Sequence, residues 1–563
     1  MKLFRPLVLF TLAMGAVFAI GEANFGSAQD AKEKKKNKKK LVQPPEPEKK
    51  PVAGEPKIAP KPLAPLGPIG PKDAAAVAKI IDEAIEKKLA EGKVEPSPLA
   101  TDEEFLRRVY LDLTGVIPSS EKARAFLDSS DPQKRSKLID ELLASPNFGR
   151  HLADIWQSKL LPRDSGNRFV LREPFVKWLE TEFNKNTPWN QFVSKLVAAE
   201  GTVEENPAVT YFLANRSVDK LTDGVTQSFL GVQLQCAQCH NHPFTDWKQT
   251  EYWGMAEFFS KVKPDNPKNA NKGGDNTKIG VSEGNNRTKA KDFFPEAAKT
   301  VPAKFLGGIE PKLGNEPYRP VLAKWMANEQ NPFFSKAIVN RTWGQLFGTA
   351  FINPIDDMHD GNLASHPELL ETLARNFNGN GFDLKNLYRS ICNSRTYQRS
   401  SKPFNGNHSD DQLFSHMTVK VLSPEQLFDS LATIIGVEKA GPKPKGENPK
   451  RGPAGSRDQF VQFFLAGSES ANATEYEAGI PQALRLMNSK VINNPNLLRQ
   501  FASTGDKPEV VFEKIYLAAL SRRPTAAEIA RLNDYVAKAA TKPEAYADIL
   551  WVVMNSSEFT MIK

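Results

Sequence analysis

The feature that most constrains the fold of this chain is a helical hydrophobic period. Val77, Ile81, Ile85 and Leu89 recur at every fourth position, which places them on one face of an amphipathic helix. Capping boxes, a Ser or Thr followed three residues later by Glu or Gln, predict where further helices begin. They occur at Thr101/Glu104, Ser365/Glu368, Ser423/Gln426 and Thr525/Glu528. Sustained alternation with a period of two is scarce, so the sequence predicts a mainly α fold.

The N-terminal residues predict an export signal followed by a spacer. Lys2 and Arg5 precede an apolar run from Leu7 to Ile20, and small residues follow, which is the pattern of a signal peptide over residues 1–28. The run is shorter than the roughly 20 apolar residues of a bilayer span, so we expect no transmembrane span after cleavage. Residues 29–72 are rich in lysine and proline, which predicts a disordered, extended spacer. We therefore expect an exported protein, periplasmic or associated with the cell envelope.

The basic charge of the chain is concentrated at its N-terminus. The first 62 residues carry 13 Lys and Arg against 6 Asp and Glu, which accounts for +7 of the formal net charge of +9. The remaining residues are nearly neutral and lack the general basic surface that is typical of nucleic-acid-binding proteins. We predict no nucleic-acid partner; the sequence does not identify the redox or envelope partner of such a protein.

A polar segment divides the rest of the chain. Residues 263–300 are rich in Asn, Gly and Lys and nearly devoid of large apolar side chains, which indicates a loop or connection. It separates a helical domain over residues 73–262 from a second helical domain over residues 301–563. The fold expected is thus mainly α, with two helical domains joined by a polar loop and preceded by the signal peptide and the disordered spacer.

Two of the three cysteines and two of the seven histidines fall within seven positions. Cys236, Cys239 and His240 form C-x-x-C-H, the attachment pattern of haem c. In that interpretation both cysteines bind haem covalently and His240 is an axial ligand of the iron. The aromatic residues that follow the two cysteines are candidates for the wall of a haem cleft. Other side chains are candidates for the distal ligand of the haem iron. The aromatic candidates are Phe244, Trp247, Tyr252, Trp253, Phe258 and Phe259, and the distal candidates are Met255, Met358, His359 and His366.

The same cluster also fits a metal site or a disulfide. Cys236 and Cys239 are a known half-site for zinc, with His240 or His242 as nitrogen ligands. The second half-site would come from a distant segment, for which the candidates are His359 and His366 with the nearby Asp356, Asp357 and Asp360. An open coordination position would then support hydrolysis. Alternatively, the two cysteines pair in an oxidising compartment and only stabilise a turn. Cys392 is expected to be a small buried residue.

Longer stretches of the sequence resemble a known pair of domains. The stretches FLRRVYLDLTGVIPSSEKARAFL, LIDELLASPNFGRHLADIW and FLGVQLQCAQCHNHPFTDWKQTEYWGMAEFF resemble a cytochrome-like domain of unknown function found in exported planctomycete proteins. The stretches NPFFSKAIVNRTWGQLFG, SHPELLETLARNF and IYLAALSRRPTAAEIARL resemble the planctomycete-specific domain that follows it. The resemblance implies a cytochrome-like protein but no activity, so the sequence does not settle whether the chain is an enzyme.

Overall fold

The computed structural model describes residue 66 and residues 72–163, 167, 169–265, 276–284, 301–314, 316–435, 453–465, 487–488, 501–502 and 505–563. The predicted signal peptide and nearly all of the predicted spacer lie outside these residues. The described part is mainly helical, as the hydrophobic period predicts.

The helices before the polar segment are short to medium in length. They are α1 Ala74–Gly92, α2 Asp102–Thr114, α3 Ser120–Asp128, α4 Lys134–Ala144, α5 Pro146–Leu160, α6 Arg172–Asn184, α7 Trp189–Val197, α8 Thr210–Ala214, α9 Val218–Val225 and α10 Gln249–Glu257. Those after it are α11 Tyr318–Met326, α12 Phe334–Phe347, α13 Pro367–Gly379, α14 Leu384–Cys392, α15 Pro424–Ile435, α16 Pro453–Leu465, α17 Pro508–Leu520, α18 Ala526–Lys538, α19 Lys542–Met554 and α20 Ser557–Thr560.

The strands are few and short. They are β1 Gly201–Thr202, β2 Val262–Asp265, β3 Gly280–Glu283, β4 Lys420–Val421 and β5 Met561–Ile562. Strand β3 pairs antiparallel with β1 and with β2, and β4 pairs antiparallel with β5. Strand β3 and all of β2 except Val262 fall inside the predicted polar connection, 263–300. The buried side chains of Ile279 and Val281 explain why this part of the connection is ordered against the core.

Predicted helix starts are confirmed where the side chain of the cap residue accepts a backbone N–H of the first helical turn. The four residues of the α1 stripe, Val77 to Leu89, are each at most 2% exposed. Thr525 and Glu528 cap each other at the start of α18. The capping box predicted at Ser365/Glu368 is wrong. Helix α13 has His366 as its N-cap residue instead, because the Ser365 hydroxyl lies 3.0 Å from the ring of His366 rather than on the first turn.

The hydrophobic core contains side chains from both sides of the polar connection. One hydrophobic cluster extends from α1 through α14 and includes side chains from before and after the polar connection. A second cluster packs Leu111 and Ile117 against α15 and the C-terminal helices α17–α20. The division into two domains, 73–262 and 301–563, stays a prediction, and the described residues of the two segments share these clusters.

Two buried arginines of α2 fix the C-terminal segment. Arg107 donates to the carbonyls of Ala519 at 2.9 Å and Phe559 at 2.6 Å. Arg108 donates to the carbonyl of Lys563 at 2.8 Å and to a carboxylate oxygen of Glu104 at 2.7 Å. Every one of these acceptors is a full or partial negative charge that replaces water around the guanidinium groups.

None of the helices in the described part of the chain is both long enough and apolar enough to cross a bilayer.

Candidate functional site

The Cys/His loop, residues 234–248, follows a π-helical turn and leads into α10. Gly231 ends that turn with a φ of 67°, a left-handed conformation that glycine adopts without strain. A 3-10 turn then buries Ala237 completely. Cys236 and Cys239 lie on either side of Ala237, and both are exposed with free thiols. The loop is held by its apolar residue and presents its sulfur atoms to solvent.

Helix α10 holds the backbone of this loop. The amide group of Gln249 donates to the carbonyls of Gln238 at 3.2 Å and Cys239 at 2.9 Å. The indole N–H of Trp253 donates to the same Gln238 carbonyl at 3.0 Å, and the backbone N–H of Gln249 donates to Asn241 Oδ1 at 3.0 Å. These bonds position the loop without using either thiol or the ring of a histidine.

The hydrogen bond of His240 fixes which ring nitrogen is available as a ligand. His240 Nδ1 lies 2.7 Å from the carbonyl oxygen of Asn241. A carbonyl oxygen only accepts, so Nδ1 carries the proton, and Nε2 of the neutral ring has a free lone pair. The residue is exposed. This is the arrangement in which a backbone carbonyl orients a histidine that binds a metal through its other nitrogen.

His242 has the opposite arrangement. Its Nδ1 accepts a hydrogen bond from the backbone N–H of Phe244 at 3.3 Å, so the proton of the neutral ring is on Nε2. Partial burial lowers the pKa of His242, the nearby His359 and His240 lower it further, and Asp357 opposes the shift. His242 is thus close enough to Asp357 and His359 for their charges to affect its pKa, and whether these residues hold a metal stays a prediction.

A buried ionic contact holds the segment that contains Asp357 and His359. Lys159 Nζ lies 2.5 Å from Oδ2 of Asp356, and Arg341 pairs with the other carboxylate oxygen. The backbone N–H of Met358 donates to the carbonyl of Gly231 at 2.8 Å. Both oxygens of Asp356 are thus occupied by cations, and this residue anchors the segment.

His359 is itself engaged by its own segment. Its Nδ1 accepts from the backbone N–H of Gly361 at 3.1 Å, and its Nε2 lies 3.6 Å from Oδ2 of Asp357. As in His242, the proton of the neutral ring is on Nε2. A metal bound at Nε2 of either residue would have to displace that proton.

His366 lies in a different environment. It is 2% exposed, and its ring centroid lies 5.9 Å from that of Phe351 and 5.4 Å from that of Phe414. Burial lowers the pKa of His366 to about 4, with a further decrease from Lys88 and an opposing effect of Asp410. The structure does not place it in contact with His240 or His242. The rings of Phe351 and Phe414 cover His366 at the start of α13.

The aromatic residues after the cysteines divide into two groups. Phe244 is 85% exposed and Trp247 is half-buried. The other four are core residues at most 5% exposed, namely Tyr252, Trp253, Phe258 and Phe259. Of the methionine candidates, Met255 is fully buried, and Met358 packs against Gly231. Phe244 is therefore the exposed ring of this set and contacts His242, whereas four of the six rings belong to the core.

Within the described residues, no three His, Cys, Asp or Glu side chains converge as a metal-binding group.

Cys392 is fully buried, as predicted, and burial raises the pKa of its thiol.

Sequence reasoning missed a partly buried carboxyl group on α9, the helix that packs against α10 and the 3-10 turn of the loop. Burial raises the pKa of Asp223 to about 7, Asp219 raises it further, and Tyr252 opposes the shift. Asp219 and Asp223 are four residues apart on α9 and share a face. The sequence shows that spacing. Tyr252 lies on another helix, α10, and no local sequence pattern indicates that it is close to Asp223.

Two family models match the chain. The first is PSCyt2, described as a protein of unknown function (DUF1549), over residues 80–264. The second is PSD1, described as a protein of unknown function (DUF1553), over residues 318–479. No curated protein and no solved structure shows significant similarity. The Cys/His loop lies in the first matched region, and its neighbours Asp357 and His359 lie in the second.

Proposed function

We propose that this chain, which matches the PSCyt2 model over residues 80–264 and the PSD1 model over residues 318–479, is an exported, cytochrome-like redox protein carrying one haem c on the Cys/His loop. Cys236 and Cys239 form the thioether bonds, and His240 is the axial ligand. Covalent haem supplies a one-electron redox change when it is bound.

The observation that carries this proposal is the state of His240. Its Nδ1–H is held by the Asn241 carbonyl and its Nε2 lone pair is free in an exposed ring. Among the three loop and segment histidines, His240 alone presents an unprotonated Nε2 in its neutral form, because Nδ1 of His242 and His359 accepts a backbone N–H.

The cysteines support the same function. Both thiols are free and exposed, so a planar macrocycle can approach them without movement of the core. The carbonyls of Gln238 and Cys239 are held by Gln249, which fixes the backbone that would carry the attachment. Phe244, 85% exposed, supplies an apolar side chain for contact with the macrocycle.

A second candidate is a zinc or other metal site that joins the two matched regions, in an envelope protein or a hydrolase. The observation that favours it is the electrostatic contact of His242 with Asp357 and His359. In this alternative the thiolates of Cys236 and Cys239 would be two ligands, with His242 or His359 as a third. A third candidate is a structural protein in which the two cysteines form a local disulfide.

The test is to produce the full-length chain, exported, in a host with haem-attachment machinery. We expect a Soret band, a mass increase of one haem that survives denaturation, and loss of both when Cys236 and Cys239 are replaced by Ser. His240→Ala should change the spectrum, whereas the matched variant His242→Ala should retain the wild-type spectrum.

Colourless protein with stoichiometric zinc that is lost in His242→Ala would establish the metal site instead. Colourless, metal-free protein whose two exposed thiols do not titrate would establish the disulfide.

A further inference from the structure

Two helical ends face each other across the Cys/His loop. The 3-10 turn Gln235–Gln238 ends just before Cys239, and α10 begins at Gln249. The last carbonyl groups of a helical turn and the first N–H groups of a helix have no partner within their own element. Both ends therefore need hydrogen-bond partners from elsewhere, and His240 lies between them.

Helix α10 supplies the donors for the end of the 3-10 turn. The side-chain amide of Gln249 donates to the carbonyl of Gln238 at 3.2 Å and to that of Cys239 at 2.9 Å. Trp253, one helical turn further along α10, donates its indole N–H to the Gln238 carbonyl at 3.0 Å. An amide NH2 group has two donors and a carbonyl oxygen has two lone pairs. These bonds therefore use both donors of Gln249 Nε2 and both acceptor positions of the Gln238 carbonyl.

The loop in turn caps the start of α10. The backbone N–H of Gln249 donates to Oδ1 of Asn241 at 3.0 Å. An asparagine oxygen is a favoured acceptor for a first-turn N–H, and here it comes from eight residues before the helix. The backbone carbonyl of the same Asn241 lies 2.7 Å from Nδ1 of His240. Asn241 thus connects the start of α10 with the histidine ring.

Gln249 consequently holds the backbone on both sides of His240. The Cys239 carbonyl belongs to the planar peptide unit that joins Cys239 to His240, and the amide of Gln249 binds it. On the other side, the N–H of Gln249 holds the side chain of Asn241. The residue His240 is exposed, so packing does not fix the orientation of its ring, and these hydrogen bonds do.

We propose that Gln249 is a positioning residue for His240. It holds the two flanking peptides so that the Asn241 carbonyl keeps the proton of the neutral ring on Nδ1 and leaves the lone pair of Nε2 available to a ligand. The inference deepens the proposed function and rests on it for the identity of that ligand, the haem iron. A histidine whose Nδ1–H is held by a carbonyl is a more basic ligand at Nε2 than one without this bond.

The experiment first determines the tautomer of His240 in the full-length chain without haem. The chain is labelled with nitrogen-15 histidine, and long-range proton–nitrogen NMR spectra are recorded at alkaline pH, where imidazole is neutral. The nitrogen shifts show which ring nitrogen carries the proton. The chain has seven histidines, and comparison with His240→Ala assigns the signals of this one.

We expect the wild-type ring to carry its proton mainly on Nδ1. In Gln249→Leu the ratio of Nδ1–H to Nε2–H rings should fall about fivefold, as expected for the loss of one ordinary hydrogen bond. The matched control is Gln235→Leu, at an exposed glutamine of the same loop, and it should keep the wild-type ratio.

A second pair of variants tests the other side of the histidine. Asn241→Leu removes the acceptor of the Gln249 N–H and should also lower the ratio. Asn241→Asp keeps a side-chain oxygen at this position and should retain it. The pair decides the outcome if circular dichroism shows that Gln249→Leu does not fold. The proposal is overturned if folded Gln249→Leu keeps the wild-type ratio, or if Asn241→Leu does.

The midpoint potential of protein that carries haem provides a second readout. Gln249→Leu should retain the mass of the attached haem, because the thioether bonds come from Cys236 and Cys239. Its midpoint potential should be higher than that of Gln235→Leu, since a less basic axial ligand stabilises ferric iron less. Equal potentials would overturn the positioning role. Failure to load haem would count against the proposed function alone, because the tautomer measurement needs none.

Discussion

The Cys/His loop and the interior around Arg108 use polar side chains in opposite ways. In the interior, each guanidinium nitrogen of Arg108 donates to an acceptor, including the carbonyls of Tyr397 and Arg399 at 2.9 Å. In the loop, the thiols of Cys236 and Cys239 and Nε2 of His240 are left exposed, and other residues hold the backbone. The polar side chain of Arg108 is thus bonded within the fold, whereas the loop leaves its thiols and Nε2 of His240 accessible.

The largest expected effect is in the interior. Arg108→Ala would remove the donor of three carbonyls and one of the donors of Glu104, which keeps those of Ser400 and Ser401. We expect a loss of about 3–5 kcal/mol in the free energy of unfolding, measured by denaturant titration at unchanged slope. Lys79→Ala, at a side chain that is 78% exposed, is the control and should change the free energy by less than about 0.5 kcal/mol. A loss below 1 kcal/mol in Arg108→Ala would mean that the comparison is wrong.

A buried histidine near this interior predicts a smaller, pH-dependent effect. Burial lowers the pKa of His151 to about 4, with a further decrease from Lys420 and opposing effects from Asp429 and the backbone at Asp112. Between pH 6.5 and about 4 the unfolded chain binds a proton that the folded chain does not. This histidine should therefore destabilise the fold progressively as the pH falls through that window, by on the order of 3 kcal/mol in total.

The measurement compares wild type with His151→Gln. The variant should lose less of its unfolding free energy between pH 6.5 and 4, and subtraction of the two curves removes the contribution of Asp223, whose raised pKa has the opposite sign. Parallel curves would show that His151 is solvated in the folded protein.

The smallest effect on stability is expected in the loop. Replacing both Cys236 and Cys239 by Ser changes two exposed side chains, so the unfolding free energy of the haem-free chain should change by less than about 0.5 kcal/mol. Denaturant titration with and without a reductant checks this. A loss of 2 kcal/mol or more that appears only without reductant would identify the cysteines as a disulfide that stabilises the turn.

The sequence predicted those parts of the structure that depend on local periodicity. The α1 stripe was predicted because an α-helix repeats every 3.6 residues whatever surrounds it. The caps at Thr101 and Thr525 were predicted for the same reason, since both partners lie within one turn. The capping box predicted at Ser365 does not form, because the hydroxyl of Ser365 interacts with the ring of its neighbour His366.

The candidate site was predictable only in part. C-x-x-C-H is contiguous, so the sequence identifies its members. The position of Asp357 and His359 beside it depends on Asp356, whose partners Lys159 and Arg341 are more than ten residues away on α5 and α12. The burial of His366 among Phe351 and Phe414 is equally non-local. Which ring nitrogen of His240 is free depends on a single carbonyl, and no sequence pattern specifies that bond.

The anchoring of residues 559–563 by α2 has a consequence for the order of folding. Arg107 and Arg108 belong to one of the first helices to be synthesised, yet several of their acceptors are the carbonyls of Phe559, Met561 and Lys563. Until those residues have emerged, the two guanidinium groups have no reason to leave water, and the N-terminal core cannot close around them. The native packing around α2 is therefore completed only late in chain elongation, once residues 559–563 are available.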